Sequence, residues 1–220
     1  MSVISDFTEQ ALQNTGIQIG SFKLNPLLQR YVKSHTDGVY LFDISKQLKR
    51  IDSIGHWLSM INPANIYLTT KKEEAETAVT KFASILGAKA APKRHLPGTF
   101  HNYDASYFVD AEAVILSSPG FIDEKGRQYG DYVAHQEAIE SKIPIVSLCT
   151  TDEPIFDVDM VIPCNNRGHK SLATVYYLLL RSTLYHMSEL DRHVFSIEDF
   201  EQKIVKPINQ KSDSSVETVT

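Results

Sequence analysis

Short apolar runs alternate along this chain with longer stretches of helical periodicity, and few architectures accept that alternation. Residues 39–43, 66–70, 88–91, 113–116, 143–149 and 160–163 read as strands. Several are apolar throughout, which suits a strand covered on both faces of its sheet. Between them Leu48, Ile51, Ile54, Leu58 and Ile61 recur at three- and four-residue spacing. Ala75, Ala78, Val79, Phe82 and Leu86 do the same ahead of Gly87, a residue that suits a helix C-terminus. Residues 172–184 are apolar nearly all round, as a helix is when buried against a sheet and a neighbour. A further helix over 5–15, ended by Gly16, opens the chain. The predicted fold is a three-layer α/β/α sandwich around a mainly parallel sheet, Rossmann- or flavodoxin-like. With 220 residues and 42% hydrophobic content, one core is expected. We place the domain at residues 1–190 and an extension at 191–220. Its last part, 209–220, is rich in Ser, Thr and acids without periodicity and is expected to be disordered.

Charge is segregated rather than spread. The net value is −5, yet between Phe22 and Arg50 six basic residues face two acids. Lys93 and Arg94, with His95 and His101, form a second group free of acids, and Arg167, Lys170 and Arg181 a third. From Met187 onward seven acids meet four bases, so much of the negative total sits in the tail. Because charges beyond about 8 Å are screened at physiological salt, such patches bind phosphate whatever the total. No membrane-spanning run, signal-like N-terminus or lipidation box is present, so a cytoplasmic protein without a membrane partner is expected. Cys149 and Cys164 are too far apart for a CxxC pair and read as buried thiols.

Two loops carry the chemistry. In the first, an apolar strand end breaks at Pro163 into Cys164-Asn165-Asn166-Arg167-Gly168-His169-Lys170 and then enters a helix. Pro163 stops the ladder, Gly168 allows a tight or left-handed turn, and Ser171 is positioned to cap the helix whose amides attract anions. The run ends like a Walker A loop, but His169 separates glycine from lysine and Pro163 stands where the earlier glycine belongs. There is no GxGxxG after the first strand, and His135-Gln136-Glu137 lacks the second half of a deaminase signature. With no HExxH and no serine elbow, no metal, cofactor or catalytic residue is expected. The second loop joins Lys93, Arg94, His95, a rigid Pro97-Gly98 turn, Thr99, Phe100, His101 and Asn102, an inventory for gripping a phosphate backbone and packing on a sugar or base. A long surface loop with merely solvated charges has the same composition. Asn166 reads equally as a turn residue.

In chain order, several segments together resemble the small-subunit ribosomal protein S2 family in its archaeal and eukaryotic form. They are Gly16-Ile17-Gln18-Ile19-Gly20, Thr36-Asp37-Gly38-Val39-Tyr40-Leu41-Phe42-Asp43, Asn62-Pro63-Ala64-Asn65, Lys81-Phe82-Ala83, Pro97-Gly98-Thr99, the run from Ile143 to Asp152, and Val158 to Ser171. The likeness covers residues 8–187. Gln18 stands where the family usually has His, His101 replaces the usual second Thr, Gly120 replaces an Arg, and Ala75-Glu76-Thr77 replaces a Gly-Gln-basic triplet. Arg127, in the longer segment before Pro144, is a candidate to restore the lost charge. The absence of a helical-hairpin insertion points away from a bacterial origin, and residues 194–201 loosely resemble a eukaryotic extension.

The resemblance implies a non-catalytic constituent of the small ribosomal subunit in the cytoplasm, reusing a nucleotide-binding-like sheet without its nucleotide. The implied partners are small-subunit ribosomal RNA and neighbouring ribosomal proteins, with no small-molecule substrate. Candidate RNA-binding residues are Lys23, Arg30, Lys33, Lys93, Arg94, His95, Thr99, His101, Asn102, Arg127, Asn165, Asn166, Arg167, His169 and Lys170. The competing reading is an α/β enzyme acting on a phosphorylated small molecule at the same sheet edge.

Overall fold

The computed structural model describes residues 9–201. Helix α1 (Glu9–Asn14) leads through a 3-10 turn, Pro26–Tyr31, into an antiparallel pair, β1 (Val32–Thr36) and β2 (Val39–Phe42). There follow α2 (Ile44–Leu58), β3 (Ile66–Thr70), α3 (Glu73–Leu86), β4 (Lys89–Pro92) and β5 (Ala113–Leu116). A small hairpin of β6 (Phe121–Ile122) and β7 (Gln128–Tyr129) precedes α4 (Tyr132–Glu140), and β8 (Ile145–Cys149), β9 (Met160–Pro163) and α5 (His169–His186) complete the domain.

Five strands pair in parallel in the order β4-β3-β5-β8-β9. Counted along the chain this is 2-1-3-4-5, the flavodoxin-like order, with its reversal between β3 and β5. Strand alternation divides the core. Ile66, Leu68, Ala113, Ile115, Val146, Leu148 and Ile162 face the layer of α2, α3 and α5, in one cluster that also holds Phe82 and Tyr176. Tyr67, Val114, Leu116 and Ile145 face α4 and the segment around Phe100 and Val109. Cys149 and Val161, on that same side, are covered by Leu28 of the 3-10 turn. The three-layer sandwich is therefore complete on both faces. Residues beyond α5 pack back onto it, with Phe200 buried against Tyr177.

Several elements depart from the sequence expectation. Residues 39–42 do form a strand, but outside the main sheet: Asp37 (φ 52°) and Gly38 (φ 80°) make a two-residue turn that folds β2 back on β1. Within 117–130, expected as loop, lies the β6–β7 hairpin. Helix α4 was not anticipated, because half of its buried positions are polar: His135 and Glu137 beside Ala134 and Ala138. Ser171 does not cap α5. It is buried in the first turn, while Gly168 holds the cap position with an extended φ of −93°, so no left-handed turn is needed there. Of the expected opening helix, residues 5–8 fall outside the described residues, as does the tail 209–220.

Candidate nucleic-acid interface

All five parallel strands end on one edge, so the segments after Thr70, Pro92, Leu116, Cys149 and Pro163 meet there. In open α/β sheets a ligand occupies the crevice at the strand-order reversal. Here side chains occupy its neighbourhood. The Asn166 amide is fully buried and donates to the carbonyls of Ser117 (3.3 Å) and Leu148 (3.0 Å) and to Glu153 Oε2 (2.6 Å). Glu153 also accepts from the Ser118 hydroxyl (2.8 Å) and the Thr150 amide (3.0 Å). Lys72 Nζ donates to the backbone carbonyl of Asn166 (2.8 Å) and lies 3.7 Å from Glu153. Burial pushes the Glu153 carboxyl up, against the pull of Lys72 and these donors. The network cross-links the ends of β5, β8 and β9. Ser118 and Glu153, the hydroxyl and carboxylate it brings together, are both buried in it.

The loop after β4 is fixed by a second buried carboxylate. Glu137 of α4 accepts from the amides of Gly98 (3.0 Å) and Phe100 (2.7 Å) and from His95 Nε2 (2.8 Å), and His101 Nδ1 lies 3.2 Å away. His95 is pressed toward its neutral form by burial. A neutral ring donating from Nε2 to Glu137 leaves Nδ1 to accept from the Tyr67 hydroxyl at 2.9 Å. The Thr99 hydroxyl donates to the Leu96 carbonyl and closes the turn.

These geometries sort the sequence candidates. His95, Thr99 and Asn166 are buried and their side chains are committed inside the protein. Asn165 is half-buried, donating to the Gly16 carbonyl (3.2 Å) and accepting the Arg167 amide (3.1 Å) as a turn residue does. Lys93, Arg127 and Arg167 are exposed but ion-paired, with Glu76 (3.2 Å), Asp123 (2.7 Å) and Asp152 (2.6 Å) respectively. Lys23, Arg30, Lys33, Arg94, Asn102 and Lys170 are exposed, His169 is half-buried, and among the described residues none of these side chains meets an acid. The Arg30 guanidinium lies over the Tyr31 ring at 4.9 Å.

Two groups result. The loop 165–170 joins the N-terminal basic segment through residues 151–153: Ser21 N–H donates to the Thr151 hydroxyl, and Asn25 bonds Thr151 and Glu153. The Lys93–Asn102 loop stands at β4, the opposite margin of the sheet, four strand spacings or about 19 Å away. Sequence reasoning passed over Lys71, Lys72, Asp131, Glu137 and Glu153. A signal existed for three of them, because Lys71 and Lys72 directly follow an apolar strand and Glu153 follows another, so all three had to lie at the binding edge.

No family model matches the chain. The chain is similar to three curated archaeal proteins, each called small ribosomal subunit protein uS2. That of Nitrosopumilus maritimus is 31% identical over 202 residues, covering 90% of this chain and 93% of the relative. That of Thermoplasma volcanium is 30% identical over 200 residues, covering 89% and 96%. That of Thermofilum pendens is 32% identical over 194 residues, covering 86% of each.

Proposed function

The chain belongs to the uS2 family of small ribosomal subunit proteins, and from that premise we propose that it is a structural, non-catalytic constituent of the small subunit in the cytoplasm. Its role is to hold small-subunit ribosomal RNA and support neighbouring ribosomal proteins. The observation that carries this is the extent of the match, about nine tenths of this chain and more than nine tenths of two of the relatives. A shared module would cover less. The filled crevice agrees with it: the carboxylates of Asp131, Glu137 and Glu153 are spent on backbone amides and internal side chains, so the rival enzyme has no set of reacting groups to use.

Within that role, the exposed residues Lys23, Arg30, Lys33, Lys93, Arg94, His101, Asn102, Arg127, Arg167 and Lys170, with the half-buried His169, contact RNA, while His95, Thr99, Asn165 and Asn166 shape the loops that present them. Residues 1–190 form the S2-like domain and 191–220 an extension. A tagged chain expressed in its own cells is expected to sediment with small subunits on a gradient. Recovery only as a free soluble pool would overturn the assignment. Photocrosslinkers at positions 94 and 167 are expected to capture ribosomal RNA, and capture of protein alone at both would remove them from the RNA surface.

A further inference from the structure

A cleft of about 230 Å³ opens beside the filled crevice, between the end of β3, the loop after β4 and the start of α4. Three cations line it, Lys71 from one loop and Lys93 with Arg94 from another. Lys71 and Arg94 meet no acid among the described residues, and Lys93 has only the half-buried Glu76 at 3.2 Å. The other charge in the wall is Asp131, whose Oδ1 accepts the Lys71 amide (2.6 Å) and Oδ2 the Ser118 amide (3.2 Å), so the carboxylate is turned into the protein. Pro97, Tyr132, Val133 and Gln128 also line it. Like charges gathered from two separate loops repel one another unless an anion lies among them. The volume is below the roughly 300 Å³ at which pockets for drug-sized ligands begin, and suits one small phosphorylated unit. The ring of Tyr132 and the face of Pro97 offer a sugar or base an apolar surface.

We propose that this cleft binds a single nucleotide, its phosphate held by Lys71, Lys93 and Arg94 and its base or ribose packed against Pro97 and Tyr132. The nucleotide is supplied either free in solution or as one residue of an RNA strand, and only the second source rests on the ribosomal reading.

The purified full chain is titrated with each of the four nucleoside 5′-monophosphates, with inorganic phosphate and with a short single-stranded RNA, following the backbone amide signals of Lys71, Arg94 and Val133 by NMR. Saturable shifts with a mononucleotide, weakened at least tenfold in the Lys71→Ala/Arg94→Ala double variant, support the site with a free ligand. Shifts with RNA alone, lost in the same variant, support it with RNA as the source. Glu76→Gln releases Lys93 from its ion pair and is expected to tighten binding severalfold. Absence of shifts with every probe, shifts unchanged in the double variant, or inorganic phosphate binding as tightly as the mononucleotides overturns the proposal. Both altered side chains are exposed, and an unchanged melting temperature checks that the variant folds. Failure here leaves sedimentation with small subunits untouched, so the two readings fall separately.

Discussion

Glu137 decides whether the Lys93–Asn102 loop is a docking surface or a floppy chain. It takes two backbone amides and a histidine at once, and in a site this buried each unmet donor costs roughly 1–3 kcal/mol. Glu137→Gln keeps the shape but turns a donor toward a donor. We expect it to lower unfolding free energy by about 1–3 kcal/mol in urea and to speed hydrogen exchange at Gly98 and Phe100. Unchanged exchange at both amides would show that the carboxylate does not hold the loop. Asp131 gives a pH prediction of definite sign. Burial pushes its carboxyl up to about 7, well above the ordinary carboxylate value, although the Lys71, Ser118 and Ser117 amides and the Lys72 charge favour the ionised form. The native state thus keeps a proton that the unfolded chain releases near pH 4. Its stabilising share is complete below that point, falls as pH rises toward 7 and is gone above it, a change on the order of 4 kcal/mol. Asp131→Asn, which cannot titrate, is expected to flatten that part of the stability profile between pH 4 and 8. Parallel profiles for the two proteins would refute it.

At the scale of elements, the helix layer depends on how closely α2 and α5 approach. A Cβ built on Gly55 would lie 2.4 Å from Ser182 Oγ and 2.7 Å from its Cβ, and Ser182 is itself tied to Asp52. Alanine gains about 1 kcal/mol in helix propensity, but forced overpacking costs about 1–3 kcal/mol. We expect Gly55→Ala to destabilise the protein by up to about 2 kcal/mol, read as a lower urea midpoint. A rise in midpoint would mean that α5 yields without cost. The elements legible in the sequence were the strands β2, β3, β4, β5, β8 and β9 and the helices with an apolar buried stripe, α2, α3 and α5. Helix α4 escaped because it buries His135 and Glu137, so its period is hidden wherever a polar side chain points inward to do a loop's work. The β1–β2 hairpin carried a plain Asp37-Gly38 turn signal, but β1 exposes four of its five residues and has no apolar run to pair with it. The candidate site was legible as composition and not as geometry. Sequence located both loops, yet only the fold separates the presented Arg94 from the buried His95 beside it, and the charge of Lys170 from the internal cross-link made by Asn166.

For the molecule as a whole, the net charge of −5 and an RNA partner are compatible because the cations stand at the two margins of one sheet edge and much of the acid lies elsewhere. Between the margins the sheet edge holds the buried carboxylates of Asp131 and Glu153, which accept backbone amides, Glu153 also lying 3.7 Å from Lys72. On the proposed function, a surface of this kind would grip RNA at two points about 19 Å apart, each point releasing its own counterions. The logarithm of RNA affinity should therefore fall linearly with the logarithm of salt, by about 0.7–0.9 for every phosphate neutralised. Removing Lys23, Arg30 and Lys33 together is expected to reduce that slope by about 2. Arg94→Ala should reduce it by nearly one further phosphate and independently, since the two margins stand at opposite ends of the sheet. Arg127→Ala should change it less, because Asp123 already neutralises that guanidinium and a phosphate would have to displace a carboxylate 2.7 Å away. Filter binding of the purified chain to small-subunit ribosomal RNA across a salt series measures all three slopes. If Arg127→Ala flattens the slope as much as the triple variant does, the unpaired cations are not what distinguishes the binding surface.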